Sequence, residues 1–135
     1  MLSTVTNLGK LAFMVFTKRF TADVMIEFLR RLLRHADRQV FLIVDRHPVH
    51  RSQKVTRWLE AHAASIRLFF LPSYSPELNP DELLNQDVKS NALGRTRPRH
   101  QTELMDNVRS YLRSTQKQPN LVMTYFQKDS VSYAA

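Results

Sequence analysis

The sequence predicts a mixed α/β fold, a sheet flanked by helices with a helical tail at the C-terminal end. Two observations carry this. Residues 39–45 (QVFLIVD) and 66–71 (IRLFFL) are short, continuous β-branched and aromatic runs, the pattern of strands buried on both faces. Each follows a segment whose apolar residues recur at helical spacing, and strands alternating with helices build sheets with helices on their faces. The 135 residues, 43% of them hydrophobic, suffice for the packed core of one domain.

The elements follow in order. Residues 3–16 predict a hairpin: Ser3 to Thr6 are β-prone, Asn7-Leu8-Gly9 is turn-like, and 11–16 is largely apolar. Thr21 is placed to cap a helix over about 22–36, with Asp23 in its first turn. Val24, Phe28 and Leu32, with Ile26, Leu29 and Leu33, give that helix a broad apolar face, while Arg30, Arg31 and Arg34 fall on the other side or near its end. The 39–45 strand comes next, then a helix over 51–63 with Val55, Trp58 and Leu59 inward and Trp58 in the core, then the 66–71 strand. Three prolines between positions 72 and 80 exclude regular structure there. Pro80 sits at a tolerated first-turn position, and Asp81 and Glu82 suit the positive end of a helix dipole, so a helix is predicted from about 80 to 93, ending at Gly94. A basic loop over 95–100 leads to helices over about 102–116 and 119–128.

Composition removes several classes of function. Without cysteine there is no disulfide scaffold, thiolate zinc site or Cys nucleophile. Gly9 and Gly94 are the only glycines, so no Gly-rich phosphate loop exists. No apolar run approaches the ~18–20 residues of a membrane span, and the N-terminus lacks the order of a signal peptide, so a cytoplasmic protein with no membrane partner is expected. Twenty Lys and Arg against twelve Asp and Glu give a net charge of +8, which favours a polyanionic partner, nucleic acid above all. The excess is concentrated over 89–117, where seven cations (Lys89, Arg95, Arg97, Arg99, Arg109, Arg113, Lys117) face only Glu103 and Asp106. Arg95, Arg97 and Arg99 on a Pro-containing loop are suited to backbone phosphates; a solvated charge run is the plainer reading.

Two acids are candidates for chemistry. Asp45 ends a strand, and ligands of open α/β sheets collect at strand carboxyl ends; the same position also suits an Asp that caps the following turn. Glu82 opens the 80–93 helix, and one helix and one strand separate it from Asp45. Converging there, the two carboxylates would suit Mg²⁺, a hard cation that takes oxygen ligands. Asp81 competes with Glu82, and spacing alone does not separate them. His47 and His50 flank Pro48 without the spacing or the fourth ligand of a zinc site, which leaves turn-forming, substrate-contacting or solvated roles. Tyr74 in the Pro-rich loop stays open, and Ser75 has no base at motif spacing.

Taken together, these residues resemble the catalytic domain of mariner-like, DDE-type transposases of bacterial insertion sequences. Residues 44–50 (VDRHPVH) look like the segment with the family's second catalytic Asp. Residues 71–82 (LPSYSPELNPDE) look like the Pro-rich signature before the third acid, and 83–89 (LLNQDVK) match the helix after it. The resemblance implies a ribonuclease-H-like fold, here lacking the first, central strand. It implies DNA strand cleavage and transfer by a two-metal mechanism with Mg²⁺ or Mn²⁺, with Asp45 and Glu82 as catalytic acids and metal ligands; the position after Asn79-Pro80 selects Glu82 over Asp81. DNA contacts are expected from His50, Lys89, Arg95, Arg97 and Arg99.

The chain departs from the pattern in three places. No acid before Asp45 fits the family's first Asp, since Asp23 and Glu27 fall in a helix and Asp37 in a loop. The helix-turn-helix region is absent, and Arg46 stands where a small or amide residue is usual. The expectation is therefore a fragment: residues 1–93 as a partial catalytic domain and 94–135 as its basic, helical extension. Alone it is expected to be inactive, and either a homo-oligomer or complemented by an upstream polypeptide. The alternative is a non-catalytic, basic DNA-binding remnant.

Overall fold

The structure, a computed structural model, describes residues 1–93 and 98–135. It divides into two compact units, Lys18–Pro76 and the combination of Met1–Thr17 with Glu77–Ala135. In chain order the strands are β1 (Leu2–Val5), β2 (Leu11–Met14), β3 (Val40–Val44) and β4 (Ile66–Phe70). Among the described residues they form two separate two-stranded sheets, β1 with β2 and β3 with β4.

The Lys18–Pro76 unit is a βαβ arrangement with one helix ahead of it. Helix α1 (Ala22–Arg34) starts where extended Thr21 accepts a hydrogen bond from the Val24 N–H, and Asp23 in its first turn complements the dipole. Its apolar stripe buries Met25, Ile26, Phe28 and Leu29, while Glu27 pairs with Arg31 at 3.3 Å on the exposed side. Strand β3 is followed by a 3₁₀ turn (Pro48–Arg51), helix α2 (Gln53–Ala61) and strand β4, which pairs in parallel with β3, Leu42 opposite Leu68. Ser52 links turn and helix: its hydroxyl donates to the Val49 carbonyl (2.8 Å) and accepts from the Val55 N–H. Helix α2 packs on α1 and β4 and buries Val55 completely.

Two expectations change here. The strands are not buried on both faces. Leu42 and Ile66 are buried, but Phe41 is 61% exposed and Ile43 and Phe69 are also exposed. Successive side chains alternate across a strand, so helices on one side cover only one set. Trp58 is half-buried and stacked on His62, ring centroids 3.9 Å apart, instead of lying in the core.

The second unit opens with the antiparallel hairpin of β1 and β2, in register Leu2 with Met14 and Val5 with Leu11. Gly9 has φ +87° in its turn, and the Thr6 carbonyl accepts from the Gly9 N–H at 3.0 Å. Helix α3 (Asp81–Val88) runs on into a π-helical turn (Lys89–Leu93). The expected stop at Gly94 lies outside the described residues, as do Arg95 and Arg97. Helix α4 (Gln101–Gln116) is capped reciprocally: His100 Nδ1 accepts from the Glu103 N–H, and the Glu103 carboxylate accepts from the Arg99 N–H. Helix α5 (Pro119–Thr124) is shorter than expected and is followed by a 3₁₀ turn (Asp129–Ala134). The core of this unit gathers Leu11 of the hairpin, Leu84, Val88 and Ala92, Val108 and Leu112 of α4, and Val122, Tyr125, Phe126 and Val131 of the tail.

Candidate active site

Asp45 follows β3 directly, at the carboxyl end of the parallel pair, where the ladder runs one residue further through the Leu71 N–H and the Val44 carbonyl (2.8 Å). Its Oδ1 accepts from the His47 N–H at 2.9 Å, which folds the chain into the Pro48–Arg51 turn. The capping role open to an Asp here is thus realised by one oxygen. His47 continues the pattern, its Nδ1 accepting from the Val49 N–H at 3.1 Å, which places that ring's own proton on Nε2.

His50 points the other way. Its side chain is 10% exposed, and its Nδ1 lies 3.1 Å from both the Asp45 main-chain oxygen and Asp45 Oδ1. A main-chain oxygen can only accept, so Nδ1 carries the hydrogen and donates it there. Phe20 packs against the two imidazoles, edge-on to His50 with centroids 5.7 Å apart and tilted to His47 at 5.0 Å. Arg46, which stands where a small or amide residue is usual, donates from Nε to the Leu71 carbonyl (3.1 Å) and lies 5.9 Å over the Phe70 ring. The Asp45 side chain keeps 59% of its surface exposed.

Glu82 lies in the other unit, in the first turn of α3. The turn is shaped by Asn79, whose side-chain oxygen accepts from the Asp81 N–H and whose carbonyl accepts from the Glu82 N–H, both at 3.1 Å. The two neighbouring acids are treated differently. The Ser3 hydroxyl of β1 donates into the Asp81 carboxylate, 2.8 and 2.9 Å from its oxygens. Among the described residues the half-buried Glu82 carboxylate forms no hydrogen bond or ion pair. The rest of α3 is anchored from the C-terminal tail. The Tyr125 hydroxyl donates to Asp87 at 2.6 Å, and the Tyr133 hydroxyl donates to the Leu78 carbonyl at 2.5 Å, just ahead of Asn79. Burial pushes the Tyr125 hydroxyl pKa well above the usual tyrosine range, helped by the Asp87 bond and by the charges of Asp87, Tyr111 and Asp81; burial also raises that of Tyr133.

Sequence reasoning did not find Ser3, Tyr125 or Tyr133, since a lone serine and two tail tyrosines carry no motif. Of the expected DNA contacts, Lys89 is exposed at the start of the π-helical turn and Arg99 is exposed ahead of α4. The donor chemistry of Asp45 and Glu82, carboxylate oxygens, fits a hard divalent cation. Among the described residues no group of three acidic or histidine side chains gathers as a closed metal site.

Against known families, the DDE superfamily endonuclease model matches residues 1–105, a span that includes the strand-end Asp45 and the helix-start Glu82. The chain belongs to the DDE superfamily of endonucleases. No curated protein matches it. Membership gives this DDE chain a transposase-like nuclease function with DNA as the substrate class, in a family that generally uses divalent metal ions. Its mixed α/β architecture of small flanked sheets is that of a ribonuclease-H-like DDE fold. No helix among its described residues is long and apolar enough to cross a membrane.

Proposed function

We propose that this chain serves DNA strand cleavage and strand transfer of the mariner-like, insertion-sequence type, with Asp45 and Glu82 as its metal-binding acids. The observation that carries the reading is the family match spanning both acids, with Asp45 at the carboxyl end of a parallel strand. The choice of Glu82 over Asp81 is supported by the Ser3 hydroxyl, which engages Asp81. Bound divalent ions, Mg²⁺ or Mn²⁺, would supply activation of the attacking oxygen and charge stabilisation of the leaving one. The chain's own part is to hold the carboxylates: Asp45 through the turn that follows it, Glu82 through a helix tied to the tail.

Lys89, Arg95, Arg97 and Arg99 supply phosphate contacts, and residues 94–135 act as an extension of the 1–93 catalytic part. Two carboxylates hold two metal ions poorly. A third acid is therefore needed beside Asp45 and Glu82, and the chain works as a homo-oligomer or with a partner polypeptide. The exposed apolar face of β3 and β4 supports such association.

The test is Mn²⁺ binding followed by calorimetry on the purified chain, beside binding to duplex DNA. Asp45→Ala and Glu82→Ala should each weaken Mn²⁺ binding at least tenfold and leave DNA affinity within about twofold. DNA binding with Mn²⁺ affinity unmoved by either substitution would make the chain a non-catalytic basic DNA-binding remnant.

A further inference from the structure

We propose that His50 is a positioning residue for Asp45, holding its carboxylate so that only one oxygen, Oδ2, is offered to a cation. The inference rests on the reading of Asp45 as a metal ligand.

The local chemistry points this way. Asp45 Oδ1 already accepts from the His47 N–H at 2.9 Å, and His50 Nδ1, whose N–H donates to the Asp45 main-chain oxygen, stands 3.1 Å from the same Oδ1. Among the described residues neither an N–H nor an O–H is directed at Oδ2. An imidazole nitrogen bonded to the main-chain oxygen of a residue and held 3.1 Å from its side-chain oxygen fixes more than distance. It favours one carboxylate plane relative to the strand end, because rotation about either side-chain bond of Asp45 carries Oδ1 away from the ring N–H while the hydrogen bond to the main-chain oxygen stays. His50 can do this because it is itself held. It is nine-tenths buried, it sits in the Pro48–Arg51 turn where its N–H donates to the His47 carbonyl at 2.9 Å, and Phe20 lies edge-on against its ring. A group that orients a ligand from behind typically alters metal affinity by about 10–100-fold when it is removed. Asp45 and His50 lie five residues apart across the Pro48–Arg51 3₁₀ turn, which brings the ring back beside the acid.

Three substitutions at one position separate this from a packing role. Asparagine places its side-chain N–H where His Nδ1 stands; glutamine carries the same amide about one bond too far, near Nε2; alanine removes it. Mn²⁺ affinity should fall about tenfold or more in His50→Ala and His50→Gln and stay within about threefold of the native value in His50→Asn. Independently of any metal, the imidazole ¹⁵N shifts should show the Nδ1–H tautomer in the native chain. Equal Mn²⁺ affinity in the Asn and Gln variants, or a dominant Nε2–H tautomer, would overturn the positioning role. That comparison holds even if the alanine variant fails to fold. An Asp45→Ala chain with unaltered Mn²⁺ affinity would instead remove the ligand reading on which the inference rests, a different result from a silent His50 series on a chain where Asp45 matters.

Discussion

At the scale of single residues, the positions that respond most to substitution are those where geometry leaves no alternative. Gly9 is one. Its φ of +87° lies in the left-handed region, and a Cβ built there would stand 2.5 Å from the Pro119 carbonyl oxygen and 2.8 Å from its Cβ. Backbone strain and overpacking then add, so Gly9→Ala should lower unfolding free energy by roughly 2–4 kcal/mol in denaturant titrations. Tyr125 is another. Its hydroxyl is buried and bonded to Asp87, and its pKa is raised in the folded state above the ordinary value of about 10. A raised folded-state pKa means stability that is complete below the unfolded value and is lost as pH climbs from about 10 toward the folded value. Tyr125→Phe should cost about 1–3 kcal/mol at neutral pH and flatten that alkaline decline, as read from urea midpoints between about pH 9 and 11.

At the scale of elements, the caps decide where helices begin. Ser52 serves the 3₁₀ turn and α2 at once, through Val49 and Val55. Ser52→Ala should therefore lower stability by about 1 kcal/mol, seen as a lower Tm with native helicity by circular dichroism. Capping also makes α1 and the start of α3 legible: Thr21, Asp23 and the Asn79-Pro80 pair are local signals, and the helices start within a residue of the expected points. The two βαβ strands are readable from their β-branched runs, but their burial is not. A continuous apolar run does not record whether one face or two will be covered, and Phe41, Ile43 and Phe69 stand in water. The candidate site divides the same way. Asp45 and Glu82 carry motif signals, whereas the Asp45–His50 bridge depends on a turn geometry that residue types alone do not specify, and the Ser3–Asp81 bond joins positions 78 residues apart. The tail's shorter helix is not legible because the bonds after Thr124 tighten to i→i+3 spacing, Tyr125 to Val122, Phe126 to Met123 and Gln127 to Thr124, a change without a local sequence mark.

At the scale of the whole molecule, the net charge of +8 sets the terms of association with DNA. Binding should weaken steeply with salt, and replacing Arg95, Arg97 and Arg99 by Ala should reduce the log–log salt slope by about 0.9 for each phosphate no longer neutralised. Fluorescence anisotropy on two unrelated duplexes should give the same change. A slope that did not move would assign these cations to a solvated surface. The division into two units has a different consequence, for the order in which the chain becomes structured. Lys18–Pro76 is continuous, so every contact inside it closes over short distances along the chain. The other unit is assembled from two remote stretches. The Gln116 side chain holds the Leu11 carbonyl at 2.8 Å across 105 residues. During synthesis the hairpin must therefore wait, unsupported, while about a hundred residues emerge, and contacts that close long loops form slowly. Pulse-labelled hydrogen exchange on nascent or refolding chains should show amides of α1, β3 and β4 protected before those of β1 and β2. Glu82 would thus acquire its final surroundings only after the last helices have left the ribosome.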